Sequence, residues 1–496
     1  MSRPAPVRPA PAGKVARWDI ETDVAVVGFG AAGACAAIEA AEAGARVALF
    51  EAASGSGGSS ALSGGEIYLG GSGGTPAQRA AGFEDSTEAL ETYLLMAGGP
   101  DADREKAALY ARESLVHYEW LVRQGVPYKG NFLPGKIIEP EGDDTLIWSG
   151  SEEAWPFAQA ARPAPRGHVI QFQGWGGGRK LMDILEARVR TLGVEVHTDA
   201  RAVSLAADEA GAVVGLIVKI DGVERAVRAG GGVVLATGGF CLNPEMVRRH
   251  APGALQCNSP IGASDDGSGI LLGQSVGGQT IHMDQFFATC PWYPPESLVK
   301  GIFVNAAGQR FVNEDCYHGR VTQAMLAQGG DRVWLLVDNA IFARPMELAG
   351  IDIAAVGESW TEVESELGMA EGALVATIEQ YNRHAAQGRD PIRHKAAKWL
   401  KPLDEPPFAA LEIDFTRSFL SFFTLGGLET LPGGEVLDRA GAAIPGLYAA
   451  GRATCGLPRW GAGYSSGMSL ADCTFFGRRA SLSAARRGAS ATRSAA

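Results

Sequence analysis

The segment Val24-Ala-Val-Val-Gly-Phe-Gly-Ala-Ala-Gly33 leaves a chain few choices of fold. A β-branched run stops at a glycine, and an Ala-rich stretch without Pro carries on to Ala43, so the pattern reads as strand, tight turn, helix. Arg46-Val-Ala-Leu-Phe50 is a second strand, and with Glu51 at its end it closes a βαβ unit. Each glycine of the turn has a mechanical reason. Gly28 permits the bend, Gly30 lets a pyrophosphate approach the backbone, and Gly33 lets helix and strand pack closely, while the helix N-terminus offers N–H groups and a partial positive charge. Glu51, about 20 residues beyond the first glycine, suits a ribose hydroxyl pair and disfavours a 2′-phosphate. A dinucleotide site is expected; the alternative is a Gly-rich turn that packs without a ligand.

The rest of the chain bounds the possibilities. Its 496 residues suffice for several domains at roughly 100–200 residues each. Asp and Glu number 56 against 44 Lys and Arg, a net charge of -12, which is the wrong sign for a partner built on phosphate backbones, so no nucleic acid is expected. No apolar run reaches the length of about 18 that a membrane span needs. The 7 cysteines are scattered, with no CxxC pair, which fits neither a disulfide framework nor a metal site. A cytoplasmic location, no metal and no stable membrane insertion are therefore expected. Residues 1–18 are rich in Pro and Ala and read as a disordered tail. The Gly-rich style of residues 19–284 gives way near Met283 to an aromatic, mixed α/β stretch of residues 285–421, then returns in residues 422–496, which end in a helix from Ser469 to Ala480. The middle stretch reads as an insertion into the first domain.

Beyond the fingerprint, four further segments recur in order: Gly57-Gly-Ser-Ser60, Val233-Val-Leu-Ala-Thr-Gly-Gly-Phe240, Gly308-Gln-Arg-Phe-Val-Asn-Glu-Asp315 and Pro445-Gly-Leu-Tyr-Ala-Ala-Gly451. Together they resemble the fumarate reductase and succinate dehydrogenase flavoprotein family, which includes the 3-ketosteroid dehydrogenases. The resemblance covers nearly all of residues 20–482. It implies an α/β fold, a glutathione-reductase-type FAD-binding Rossmann domain with an inserted α+β capping domain that carries the catalytic site. It also implies FAD contacts at Gly28, Gly30, Ala31, Ala32 and Gly33, at Glu51 and Ala52, and at Gly58, Ser59 and Ser60. Further contacts are expected at Ala202 and Val203, at Ala236, Thr237, Gly238 and Gly239, at Asp266, at Gly451 and Arg452, and at Ser469 and Leu470. Members that attach FAD covalently use a His beside the Gly/Ser segment; none lies between Phe50 and Gly74, so non-covalent FAD is expected.

Departures from the family pattern point to the substrate. Members acting on dicarboxylates carry HxTxGG and NRxGGNSL segments and an Arg after the FVNE segment, because a desolvated dianion needs fixed cations. Here these read Phe422-Phe-Thr-Leu-Gly-Gly427 and Gly463-Tyr-Ser-Ser-Gly-Met-Ser-Leu470, and the Arg position falls at Tyr317 or His318. Phe422 stands for the carboxylate-facing His and Tyr464 for the Arg; Arg320 and Arg459 remain nearby. An apolar site with neutral donors results. Tyr317, Tyr464 and Ser466 resemble the Δ4-(5α) branch of the ketosteroid dehydrogenases. The Δ1 branch uses a further Tyr in the N-terminal half, for which Tyr110, Tyr118 and Tyr128 are unmatched candidates. The expected partner is a small apolar ketone, a steroid, together with an unidentified electron acceptor. An aromatic run, Phe286, Phe287, Trp292 and Tyr293, offers either a wall for a flat substrate or domain core. Desaturation beside a ketone takes a hydride from C5 and a proton from C4. Tyr464 O–H and the Gly467 N–H are expected to hold the ketone oxygen. The base is Ser466 through Tyr317, or Tyr317 itself, in which case either an alkaline optimum or a neighbour that lowers the Tyr317 pKa is required. His318 is adjacent but would face away on a strand. A Δ1-dehydrogenase, a fumarate-reductase-like ene-reductase and an FAD electron-transfer subunit stay open as alternatives.

Overall fold

The computed structural model describes residues 7–495, with side chains to residue 490. Strand Ile20–Val27 lies at the centre of a sheet of nine strands among the described residues, flanked in parallel by Val47–Phe50 on one side and Val223–Leu235 on the other. The long strand Val223–Leu235 has two halves. Its first half pairs antiparallel with Val213–Ile220, and its last three residues pair in parallel with Leu447–Ala449. The C-terminal ends of these four parallel strands thus come together, where an open α/β sheet forms its ligand crevice.

Helix Ala31–Glu42 is buried along nearly its whole length, packed on this sheet and against the last helix, which also lies on the sheet. Alanine makes that possible: a stripe of large side chains would hold the layers apart. A Cβ on Gly33 would stand 1.8 Å from the Gly28 carbonyl oxygen, and one on Gly477 2.4 Å from that of Ala32. The small residues that mark the sequence therefore form the contact surfaces between the sheet turn and the two helices.

Residues 302–414 build a separate antiparallel sheet, ordered Ile302–Val304, Arg332–Asp338, Phe408–Asp414 and Asp352–Gly357, with its own apolar core. Where the chain leaves and re-enters the large unit, Phe286–Thr289 pairs with Ser421–Thr424, and Thr280–Ile281 with Gly427–Leu428. A third small sheet joins Glu66–Tyr68, Gly167–Val169 and Leu146–Ile147.

Two expectations are corrected. Residues 1–6 of the expected disordered tail lie outside the described residues, but Ala10–Pro11 pairs with Ala206–Ala207 at the sheet edge. Pro tolerates that position because an edge strand needs no N–H on its free side. The last helix runs Met468–Ala495 rather than stopping at Ala480, since nothing after Ala480 breaks it. No helix among the described residues is long and apolar enough to cross a membrane.

Arg166, just before the small sheet, is fully buried and paired to Asp85 by two bonds of 2.8 and 2.7 Å. Removing one partner strands a buried charge. Asp85→Ala is expected to cost about 3–5 kcal/mol, read as a lowered denaturant midpoint at unchanged slope; an unchanged midpoint would contradict this reading.

Candidate active site

Two cavities meet at Ser59, Ser60, Arg452 and Cys473. The first follows the fingerprint turn. Of the expected cofactor residues, Gly28, Gly30, Ala31, Ala32, Glu51, Ala52, Gly58, Ser59, Ser60, Ala202, Ala236, Thr237, Gly238, Asp266 and Arg452 line it. Gly28 holds φ +105°, and a Cβ there would stand 2.4 Å from the Ala236 carbonyl oxygen, so only glycine fits. A Cβ on Gly30 would meet nothing nearer than Ser60 Oγ at 3.5 Å, which leaves its face open to the cavity.

Glu51 is held before any ligand arrives: its carboxylate accepts from the Phe29 N–H at 2.7 Å and the Ala53 N–H at 2.8 Å. Ser60 Oγ accepts from the Ala31 N–H at the helix start. Thr237 Oγ1 is buried without a hydrogen-bond partner, and Thr237 lines the cavity. An orphaned hydroxyl, a carboxylate at the strand end and a helix N-terminus in one crevice fit a dinucleotide's polar groups.

The remaining expected contacts stand elsewhere. Gly33 lies beneath the turn, against the Gly28 carbonyl, and Gly451 packs on Ala32 and Cys473. Gly239 turns its N–H to Asp265 Oδ1 at 2.7 Å. Val203 falls at a bulge, between Ala202 and Ser204 where the register shifts. Ser469 and Leu470 line the second cavity. Sequence reasoning missed Arg201, Asp265 and Cys473. Asp265 binds Arg452 Nη2 at 3.0 Å and also pairs with Ser59, tying three segments together. The only available signal was its adjacency to Asp266.

The second cavity, about 240 Å³, holds Tyr317, Tyr464, Ser466 and Gly467 together with Phe287, Phe423 and Ile261. All four expected reaction residues are therefore brought together. The Ser466–Gly467 turn is clamped onto the small sheet: Ser466 N donates to Ser149 O, and Tyr68 N to Gly467 O. Tyr317 precedes helix His318–Leu326, and its N–H donates to Ser151 Oγ at 3.0 Å. The Tyr464 hydroxyl donates to Ser469 Oγ at 3.1 Å, and its ring packs on Phe287 at 4.4 Å between centroids.

Several expectations for this cavity are corrected. Phe422 points away, onto Phe286, and the adjacent strand residue Phe423 faces the cavity instead. Of the aromatic run, only Phe287 lines it; Trp292 and Tyr293 are core. Arg320 lies near the Phe157 and Trp460 rings, and Arg459 is paired to Asp103, so neither lines the cavity. Arg452 does line it, with its charge offset by Asp265. Tyr110, Tyr118 and Tyr128 belong to the core of the large unit rather than to this cavity.

Burial raises the pKa of Tyr317 well above its ordinary value and that of Tyr464 to about 12. His318 heads a helix rather than lying on a strand, and its ring sits 4.1 Å from that of Tyr317. Burial lowers its pKa to about 3, so it is neutral and brings no positive charge to the phenol. A carboxyl group that sequence reasoning did not single out, Glu66, lines the same cavity, with burial raising its pKa to about 8.

Residues 23–467 match the FAD binding domain family. The chain is 29% identical over 500 residues to 3-oxo-5-alpha-steroid 4-dehydrogenase of Comamonas testosteroni, covering 88% of this chain and 93% of that protein. The crystal structure of 3-ketosteroid-delta4-(5alpha)-dehydrogenase from Rhodococcus jostii, in complex with 4-androstene-3,17-dione, superposes with a TM-score of 0.91 at 45% identity, covering 97% of this chain and all of that one. A 3-ketosteroid delta1-dehydrogenase from Sterolibacterium denitrificans shares the fold, with a TM-score of 0.70 at 20% identity over 94% of this chain and 99% of that one.

Glu51→Ala removes a charged acceptor and loosens the turn. FAD affinity is expected to fall about 10- to 100-fold, measured by flavin fluorescence on reconstituting the apoprotein; an unchanged Kd would show that Glu51 only shapes the loop. Acid precipitation is expected to leave all the flavin in the supernatant, because no His stands beside the Gly/Ser segment. Flavin retained in the pellet would contradict this.

Proposed function

The chain belongs to the FAD binding domain family, and from this premise we propose that it desaturates a 3-ketosteroid, converting a 3-keto-5α-steroid into the 4-ene-3-ketone. The observation that carries the reading is the second cavity, where Tyr317, Tyr464 and several serines, Ser466 among them, share the lining with apolar side chains beside the FAD cradle and the one lining arginine is paired to Asp265. A dicarboxylate in such a space would leave its charges unpaired, whereas a fused apolar ring system with one ketone would not.

When bound, the flavin supplies the two-electron acceptor for the hydride that leaves C5. The protein's own part is positioning and proton handling. Tyr464 turns its hydroxyl hydrogen from Ser469 to the ketone oxygen, and with the Gly467 N–H stabilises the charge that develops there. That charge acidifies C4, from which Ser466 Oγ takes the proton while it gives up its own hydroxyl proton to a neighbouring base. The Ser466 hydroxyl lies beside the Tyr317 phenol and favours its ionised form, but burial outweighs this. Tyr317 therefore orients Ser466 and does not stand ionised as a resident base. Phe287 and Phe423 pack against Tyr464 and fix its ring.

In this reading residues 19–284 and 422–496 form the FAD-binding domain, and residues 285–421 the capping domain that closes the cavity. A cytoplasmic location, with an electron acceptor still to be identified, is supported by seven cysteines that are all buried free thiols. The positions of Tyr110, Tyr118 and Tyr128 support Δ4-(5α) over Δ1 desaturation, since none of them lines the cavity.

The test is anaerobic mixing of the holoprotein with a 3-keto-5α-steroid, followed by flavin bleaching and product identification. Bleaching with a 4-ene-3-ketone as product is expected, and Tyr464→Phe is expected to slow it about 10²- to 10³-fold. Bleaching only by 4-ene-3-ketones, giving 1,4-dienes, would establish Δ1 chemistry. Bleaching by no ketosteroid would remove the steroid reading.

A further inference from the structure

We propose that Glu66 is the terminal acceptor of the substrate proton, taking the hydroxyl proton of Ser466 as Ser466 Oγ takes the one from the carbon α to the ketone. The inference rests on the desaturation reading above and adds a residue to it. Glu66 acts through Ser466, so its role is to position and receive, not to touch substrate.

Geometry brings the two groups together. Glu66 opens strand Glu66–Tyr68, and the Ser466–Gly467 turn is bonded to that same strand through Tyr68 N and to the next segment through Ser149 O. A Cβ on Gly467 would stand 3.2 Å from Glu66 Cγ, so the turn and the carboxyl side chain are in contact. Glu66 is only 6% exposed, yet its Oε1 has no hydrogen-bond partner, and neither has Ser149 Oγ beside it. Room for both comes from Gly167, where a Cβ would fall 2.3 Å from Glu66 Oε1 and 2.8 Å from Ser149 Oγ. Buried polar atoms ordinarily have at least one hydrogen-bond partner. This carboxyl is left with spare acceptor capacity at the wall of the substrate cavity.

The charges around Glu66 set its proton affinity. Burial raises it, and the carboxylates of Glu152 and Glu139 raise it further, while the hydroxyls of Ser466 and Ser149 lower it. Tyr317 and Tyr464 line the same cavity, and Glu66 in turn raises the pKa of Tyr317 and of Tyr464. The resulting value, about 8, places the charge change of Glu66 close to neutral pH. A phenolate at Tyr317, whose pKa burial raises well above its ordinary value, is disfavoured further. Glu66 is thus the more available base, and Glu139, partly exposed on the same cavity, offers the next carboxylate toward solvent.

The step balances. The C–H bond at the α carbon breaks as the Ser466 Oγ–H bond to that proton forms, and the original Ser466 proton passes to Glu66. The C–H electron pair moves toward the ketone oxygen under Tyr464 and then into the new C=C bond as the hydride leaves the β carbon, with the flavin as two-electron acceptor.

The experiment follows anaerobic flavin bleaching by a 3-keto-5α-steroid across pH in wild type, Glu66→Gln and Glu66→Asp holoprotein. Infrared titration of the carboxyl C=O band is run on the same proteins without substrate. The wild-type rate is expected to rise through a midpoint near pH 8 and then level off, because the ionised carboxylate is the active form. Glu66→Gln is expected to be about 10²-fold slower with that midpoint gone, while still binding the 4-ene-3-ketone. Glu66→Asp should recover part of both rate and midpoint. The infrared band should titrate near pH 8 in wild type and be absent from Glu66→Gln. A wild type that bleaches, matched in rate and pH profile by Glu66→Gln, would overturn the relay alone; a wild type bleached by no 3-ketosteroid would sink the desaturation reading and the relay with it. Should Glu66→Gln fail to hold FAD, a wild-type protein with no carboxyl titrating between about pH 7 and 9 would likewise overturn the relay.

Discussion

The close approach of helix Ala31–Glu42 to the last helix, Met468–Ala495, sets everything else in this molecule. It brings the fingerprint turn at one end of the chain to the Tyr464–Leu470 segment at the other. Gly477 lies on the Ala32 carbonyl, and Gly451 fits between Ala32 and Cys473, so the contact is made by backbone and small side chains. Interiors pack at crystal-like density, and a larger residue at either place would have to push a whole layer aside. The cost of displacement would fall on the site, because Ser59, Ser60, Arg452 and Cys473 border both cavities at once.

Electrostatics in the substrate cavity follow from burial more than from any single partner. Taking phenols out of water raises the pKa of Tyr317 and Tyr464, and taking imidazole out of water keeps His318 neutral. The one arginine that lines the cavity is matched by Asp265. What remains is a largely apolar, donor-bearing space without an unpaired cation, which suits a ketone on a rigid hydrocarbon frame better than a dianion. Within it the group most ready to change charge near neutral pH is a carboxyl, Glu66, and not a tyrosine.

Much of this could be read from the residues alone, and the failures have physical causes. The fingerprint, the nucleotide cradle and the trio Tyr317, Tyr464 and Ser466 were legible because local turns and motif order carry them. The small sheet that clamps the Ser466–Gly467 turn was not, since it joins residues near 67, 147 and 168 whose pairing leaves no local periodicity. Glu66 was missed for the same reason: its meaning comes from burial against Gly167 and the Ser466 turn, far apart in the chain. Phe422 and Phe423 show a subtler limit. Motif position nominated Phe422, but alternation along strand Ser421–Thr424 turns Phe423 to the cavity and Phe422 into the core of the other unit. His318 was placed on a strand because nothing local marks Tyr317 as the residue that opens a helix.

In the proposed reaction a 3-keto-5α-steroid, held in the largely apolar cavity beside the FAD cradle, loses a hydride from C5 and a proton from C4. Its most direct test is the deuterium isotope effect on anaerobic flavin bleaching with substrates labelled singly at C5, at C4 or at C1. The account requires primary effects from C5 and C4 and none from C1. A primary effect from C1, with none from C5, would contradict it.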